Sequence, residues 1–104
     1  MSPDRIQAKE NSVVLERFSV NGTTFCVNCW SELATAVHEL EPRSKRPNTW
    51  HFIENRVPLC TTCHEWAHSV GTKQSAPVIR KKRDEFVDAF GIDKTGLDMT
   101  EILW

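Results

Sequence analysis

All four cysteines of this 104-residue chain fall into two Cys-x-x-Cys pairs. The pairs are Cys26/Cys29 and Cys60/Cys63. Four thiolates at this spacing can complete a tetrahedral shell around zinc, as structural zinc sites do. The second pair leads directly into His64 and His68, whose imidazoles remain available for a second ion. The sequence therefore predicts two metal sites, a closed one that stabilises the fold and an open one that could support chemistry.

The composition is that of one small globular domain, with 39% hydrophobic and 26% charged residues. A chain of this length buries proportionally little surface, so a metal would add needed stability. No apolar stretch typical of a leader peptide follows residues 1–5. No apolar run approaches the roughly 20 residues that are needed to span a membrane. We therefore expect a soluble cytoplasmic protein, and in that reducing compartment paired cysteines favour metal binding over disulfides.

The net charge of -1 conceals an uneven distribution along the chain. Residues 1–42 carry three basic and six acidic side chains, residues 43–83 carry nine and two, and residues 84–104 carry one and six. The basic segment surrounds the second cysteine pair, and its side chains could neutralise the phosphates of DNA. The candidate DNA-binding residues are Arg43, Arg56, Arg80, Lys81, Lys82 and Arg83. The alternative for the run from Arg80 to Arg83 is a solvated helix face.

The elements that position these residues can be read from hydrophobic periodicity and turn signals. Residues 1–11 are predicted to be a flexible arm, and residues 12–20 a strand that turns at Asn21-Gly22 towards the first cysteine pair. A strand is expected from Thr35 to Leu40, where Pro42 soon follows. A second strand is expected to form after a loop at residues 43–49 and to run through residues 56–59.

Two helices are predicted to follow the second cysteine pair. One begins at Thr61 and ends at Gly71, and it carries His64 and His68 on one face. The other begins at Pro77 and ends at Gly91. Residues 92–104 form an acidic tail that suits docking on the domain or on a partner. The expected organisation is an arm (1–11), a zinc-stapled domain (12–74), and a C-terminal helix and tail (75–104).

Several motifs between and after the cysteine pairs are unusual in combination. They are His38-Glu39 followed by Pro42-Arg43-Ser44, Asn55 five residues before Cys60, and Cys63-His64-x-x-x-His68. Residues 26–68 thereby resemble the HNH endonuclease family. The resemblance implies an α+β fold, a small treble-clef-like ββα-metal domain stapled by four cysteines. It also implies metal-dependent hydrolysis of phosphodiester bonds in DNA, with one strand nicked at each site.

The resemblance also implies roles for individual residues. His38, His64 and His68 would hold the catalytic ion, and Asn55 would brace the loop that orients the base. Glu39 stands where the family has its catalytic histidine, which leaves three alternatives open. Glu39 is the general base, or it joins the metal and frees His38 or His51 as the base, or the site binds without cleaving. Arg43 matches the arginine that contacts phosphate.

The expected cofactors are a structural zinc and a catalytic divalent cation, with Mg²⁺, Mn²⁺, Ni²⁺ and Zn²⁺ as the candidates. The expected partner is DNA, without membrane association. Small free-standing proteins of the HNH family are frequent in phages, so a homodimer or a larger phage assembly is compatible with the resemblance. The alternative function is a catalytically degenerate, zinc-stapled module that binds DNA or protein. A purely structural zinc protein is the third possibility.

Overall fold

A computed structural model describes residues 11–97 as a small α+β protein with two short antiparallel sheets and three helices. The strands are β1 (Ser19–Val20), β2 (Thr23–Thr24), β3 (Ala36–Glu39) and β4 (Arg56–Leu59). The helices are α1 (residues 11–17), α2 (Thr61–Val70) and α3 (Thr72–Phe90), and a 3-10 turn at Ile53–Asn55 precedes β4. The predicted α+β class is confirmed. No helix within residues 11–97 combines the length and the apolar character needed to cross a bilayer.

The first described segment is helical, so the strand predicted over residues 12–20 was wrong for residues 12–17, and only Ser19–Val20 at its end is a strand. The β-branched residues there favour a strand by propensity, but Val14 and Phe18 are spaced by four and both are fully buried in the core. The predicted turn is confirmed, since Asn21 and Gly22 both have positive φ angles and join β1 to β2. Of the predicted arm, Asn11 belongs to α1 and residues 1–10 lie outside the described part of the chain.

The central hairpin pairs β3 with β4 in antiparallel register. His38 lies opposite Val57, and Glu39 lies opposite Arg56. The strand predicted from Thr35 to Leu40 is confirmed within one residue at each end. The second strand begins only at Arg56, because residues 49–55 form turns and the 3-10 turn instead. This compact connection keeps the loop between the strands close to the end of β3.

One glycine joins α2 to α3 without a loop. Gly71 has φ 87° and ψ 164°, a region that is open almost only to glycine, and it ends α2 and precedes α3. The predicted end of the first helix is therefore confirmed. The predicted start of the second helix at Pro77 was wrong, because α3 begins at Thr72 and tolerates the proline in its second turn. The expected domain boundary between residues 74 and 75 lies inside this helix.

The core draws side chains from every helix and from both cysteine pairs. Phe86 of α3 lies at its centre, with ring centroids 6.4 Å from Phe18 and 5.6 Å from Trp30. Ile92 and Leu97 are buried after the helix ends, so the first part of the predicted tail docks on the domain. The rest of that tail, residues 98–104, lies outside the described residues.

Candidate metal centres

The four cysteines converge, and their sulfur atoms all lie within 4.8 Å of one another. The Sγ atoms of Cys29 and Cys60 are 3.9 Å apart. A tetrahedron of zinc–sulfur bonds has sulfur–sulfur edges of about 3.8 Å. The four cysteines are therefore positioned to bind a metal ion such as zinc.

Backbone hydrogen bonds shape the two turns that carry these thiols. Trp30 takes a left-handed conformation (φ 65°), and its amide donates to the carbonyl of Cys26 at 2.9 Å. The amide of Val27 donates to the carbonyl of Pro58 at 3.1 Å, which fastens the first turn to β4. In the second turn, Cys60 precedes α2 and its sulfur accepts a hydrogen bond from the amide of Cys63.

The thiols differ in how readily they ionise. Burial raises the pKa of the Cys63 thiol to about 12 and also raises the pKa of Cys26. At Cys29, burial raises the pKa, but hydrogen bonds from Ser31 and from the backbone of Glu32 outweigh it, and the pKa falls to about 6. Since zinc binds thiolates, metal binding must release protons from the buried cysteines.

A second cluster consists of three imidazoles. His38 is on β3 and the other two histidines, His64 and His68, are on α2; ligand nitrogens of all three lie within 4.8 Å of one another. The Nε2 atoms of His64 and His68 are 3.0 Å apart, as expected for residues one helical turn apart that point at a common place. His38 is only 6% exposed, and its Nε2 has no hydrogen-bond partner among residues 11–97.

The surroundings of His38 and His64 favour the neutral form of these two rings. Burial, together with repulsion from His64 and His68, lowers the pKa of His38 to about 4. Burial and repulsion from His68 also lower the pKa of His64. A neutral imidazole offers a nitrogen lone pair at neutral pH, which is the form that binds a metal.

The imidazoles lie in an open depression of about 370 Å³. It is lined by residues of β3, by Pro42, and by the junction of α2 and α3 at Gly71 and Thr72. Glu39 lines the same depression beside His38. A ligand entering from solvent would therefore meet three ring nitrogens and one carboxylate.

Glu39 is held by Arg43. The guanidinium donates to Oε2 of Glu39 from Nε at 3.2 Å and from Nη2 at 3.1 Å. The same guanidinium lies over the ring of Trp50, with Cζ 3.8 Å from the centroid. Arg43 is thus exposed at the edge of the site and is positioned by a carboxylate and an aromatic face.

Asn55 braces the loop between β3 and β4. Its Oδ1 accepts from the amide of Glu41 at 2.8 Å, and its Nδ2 donates to the carbonyls of Glu41 and Trp50, each at 3.0 Å. The residue is fully buried. These bonds fix the chain just after Glu39, in the manner expected from the sequence.

The basic residues do not all lie on the surface. Arg56 is fully buried and donates to Asn11, and Arg83 is 3% exposed and donates to the carbonyl of Glu54 at 2.8 Å. Both side chains lie in the interior and bond to other parts of the protein, so the expectation that they contact DNA does not fit this structure. Arg80 is half-buried between Glu54 and Glu41, at 3.5 and 3.8 Å. Of the run, Lys81 and Lys82 are exposed.

One buried ion pair was not predicted from the sequence. Arg46, one of the nine basic residues in the segment 43–83, is buried and pairs with the fully buried Glu54. No local signal announces this pair, because the partners come together only when the loop folds over α3. His51 makes edge-to-face ring contacts with its neighbours Trp50 and Phe52, with centroid distances of 5.3 Å to each, and does not belong to the imidazole cluster.

No family model, characterised protein or solved structure matches this chain.

Proposed function

We propose that the protein is a metal-dependent DNA endonuclease of the HNH type, which hydrolyses phosphodiester bonds and nicks one strand at each site. The observation that carries the proposal is the convergence of His38, His64 and His68 from a strand and a helix onto one point. The hairpin of β3 and β4 followed by α2 would then be a ββα-metal domain, with zinc on the four cysteines.

The donor atoms fit both metals. Four sulfur atoms with a 3.9 Å edge suit tetrahedral zinc. Three imidazoles suit Zn²⁺, Ni²⁺ or Mn²⁺, and they would leave coordination positions open towards the depression. A buried ring nitrogen without a partner is costly, and ligation of an ion by Nε2 of His38 would remove that cost.

The residues around the second cluster would divide the work of phosphodiester hydrolysis. A cation bound there supplies Lewis-acid polarisation of the scissile phosphate and stabilises charge on the departing oxygen. Glu39 accepts the proton of the attacking water, and Asn55 keeps the chain next to Glu39 in place. Arg43 donates two parallel hydrogen bonds to a phosphate once it exchanges its carboxylate partner for the substrate.

The pairing of Glu39 with Arg43 favours a second candidate function, in which the protein binds DNA or protein without cleaving it. A carboxylate that already accepts two hydrogen bonds from a guanidinium is less free to accept a proton from water. If the pair persists when DNA binds, the protein is a catalytically degenerate, zinc-stapled module that binds DNA or protein without cleaving it.

A plasmid-nicking assay tests the proposed activity. Supercoiled DNA is incubated with the protein and Mg²⁺, Mn²⁺, Ni²⁺ or Zn²⁺, and conversion to the open circle is measured. His64→Ala should abolish nicking, because it removes one of three ligands. His51→Ala is the matched control and should retain nicking, since His51 lies outside the cluster. Intact plasmid after incubation of the wild type with every metal would reject the nuclease and favour the binding module.

A further inference from the structure

The amino terminus of α3 lies at the depression that holds the imidazole cluster. Gly71 and Thr72 line its wall together with His64 and His68. The helix is 19 residues long, so the aligned peptide dipoles place partial positive charge at this end. The carboxyl end of α2 meets this terminus at Gly71 and partly offsets its charge, so free amide donors would contribute more to holding an anion than the dipole would.

This amino terminus lacks the groups that usually satisfy its amides. Gly71 precedes the helix and has no side chain to cap it, and the first turn holds no acidic residue. The first helical hydrogen bond runs from the amide of Ser75 to the carbonyl of Gly71, at 2.9 Å. The amides of residues 72–74 therefore precede the helical ladder and are available to an external acceptor.

The imidazole cluster provides an independent sign of a ligand in the same depression. His38 is buried from solvent to 6% exposure, yet its Nε2 has no hydrogen-bond partner within residues 11–97. His38 and Thr72 both line the depression. A ligand that contacts both parts of the lining would interact with a cation on the imidazoles and with amide donors on α3. A tetrahedral anion with several oxygens meets both requirements.

We propose that a backbone phosphate of the nucleic acid substrate binds between the imidazole cluster and the amino terminus of α3. The amides of Thr72 and Lys73 donate to its oxygens, and the exposed ammonium of Lys73 adds a charge at the rim. Arg43 lies beside Glu39, and its positive charge offsets that of the carboxylate whether the guanidinium contacts Glu39 or the phosphate. This inference rests on the proposed function, because it names the part of the chain that holds the substrate.

Two variants of the first turn test the site. Thr72→Pro removes one amide donor at the helix position that tolerates proline best, and Thr72→Val is its control, which removes only the hydroxyl. Lys73→Glu places an acid in the first turn, where it favours the helix but repels an anion. Lys94→Glu is the charge-matched control, because Lys94 follows the opposite end of α3 and is exposed.

The readouts are backbone amide shifts of the zinc-loaded full chain titrated with inorganic phosphate, and anisotropy of a short labelled DNA duplex. Phosphate should shift the amides of residues 72–74 in the wild type. Lys73→Glu should weaken phosphate and DNA binding about tenfold, and Thr72→Pro should weaken them about threefold. The melting temperature of Lys73→Glu should stay at or above that of the wild type. Both controls should bind as the wild type does.

The outcomes separate this site from the nuclease activity. Wild-type nicking together with unchanged phosphate and DNA binding in both Lys73→Glu and Thr72→Pro would overturn the site and leave the proposed function intact. Phosphate shifts confined to the first turn of α3, without nicking in any metal, would uphold the anion site and reject the nuclease. Equal weakening by Lys73→Glu and Lys94→Glu would overturn the site, because it would indicate attraction by net charge alone.

Discussion

At the scale of single residues, Glu39 decides what chemistry the imidazole cluster could support. It lies next to His38 on β3, it lines the depression, and Arg43 holds one of its oxygens. A carboxylate is ionised at neutral pH and can accept a proton, although its conjugate acid is stronger than that of histidine. The position of Glu39 beside the cluster suits a general base. The sequence alone could not distinguish this role from that of a metal ligand.

The role of Glu39 can be tested by removing its charge. Glu39→Gln keeps the size and loses the proton acceptor, so we expect nicking to fall by about a hundredfold or more, with metal content unchanged. Glu41→Gln is the control, because this residue is two positions away and pairs with Arg80 at 3.8 Å. Nicking rates and metal analysis of the same samples provide the measurement. Loss of the second metal in Glu39→Gln would instead make Glu39 a ligand.

Residue types predicted the cysteine and histidine clusters well and the burial of the arginines poorly, for a physical reason. The cysteine and histidine spacings are local, and a helix fixes residues four apart whatever surrounds it. The burial of Arg46 depends on a contact with Glu54 that local patterns do not encode. Arg56 and Arg83 were likewise expected to lie on the surface, although both are part of the interior.

At the scale of elements, the direct junction of α2 and α3 brings the amino terminus of α3 to the imidazole cluster. The end of α2 was predictable, since glycine is the residue that most often ends a helix. The start of α3 was not, because Pro77 appeared to open a helix that had already begun at Thr72. Burial of Val14 and Phe18 likewise overrode the strand propensity of residues 12–20.

The junction can be tested with Gly71→Ala. A Cβ at this position would meet no atom within 4 Å, so the cost is backbone strain alone. Residues other than glycine at such φ and ψ angles cost about 1–3 kcal/mol, which for a chain of this size lowers the melting temperature by roughly 5–20 °C. Gln74→Ala, at an exposed position in α3, should change stability by less than about 0.5 kcal/mol. An unchanged melting curve for Gly71→Ala would show that the junction can relax.

At the scale of the whole molecule, the cysteine cluster joins parts of the chain that are distant in sequence. It connects the turn after β2 to the start of α2, and α2 carries two of the three imidazoles. The described core is small, so a metal that links these segments should contribute much of the stability. The imidazole cluster lies in an open depression and joins only β3 to α2. Loss of the cysteine site should therefore affect the stability of the fold far more than loss of the imidazole site does.

Loss of each metal site should give a different result. Cys60→Ser removes a thiolate at the entrance to α2, and we expect loss of tightly bound zinc and of the cooperative melting transition, because structural zinc can supply about 10–16 kcal/mol of binding free energy. A strong zinc chelator should have the same effect on the wild type. His64→Ala should keep the zinc of the cysteine cluster and a cooperative transition, while losing nicking. Circular dichroism melts and zinc analysis distinguish the cases. A cooperative transition that survives both Cys60→Ser and the chelator at the wild-type temperature would mean that packing of α3 against the core holds the fold without the metal.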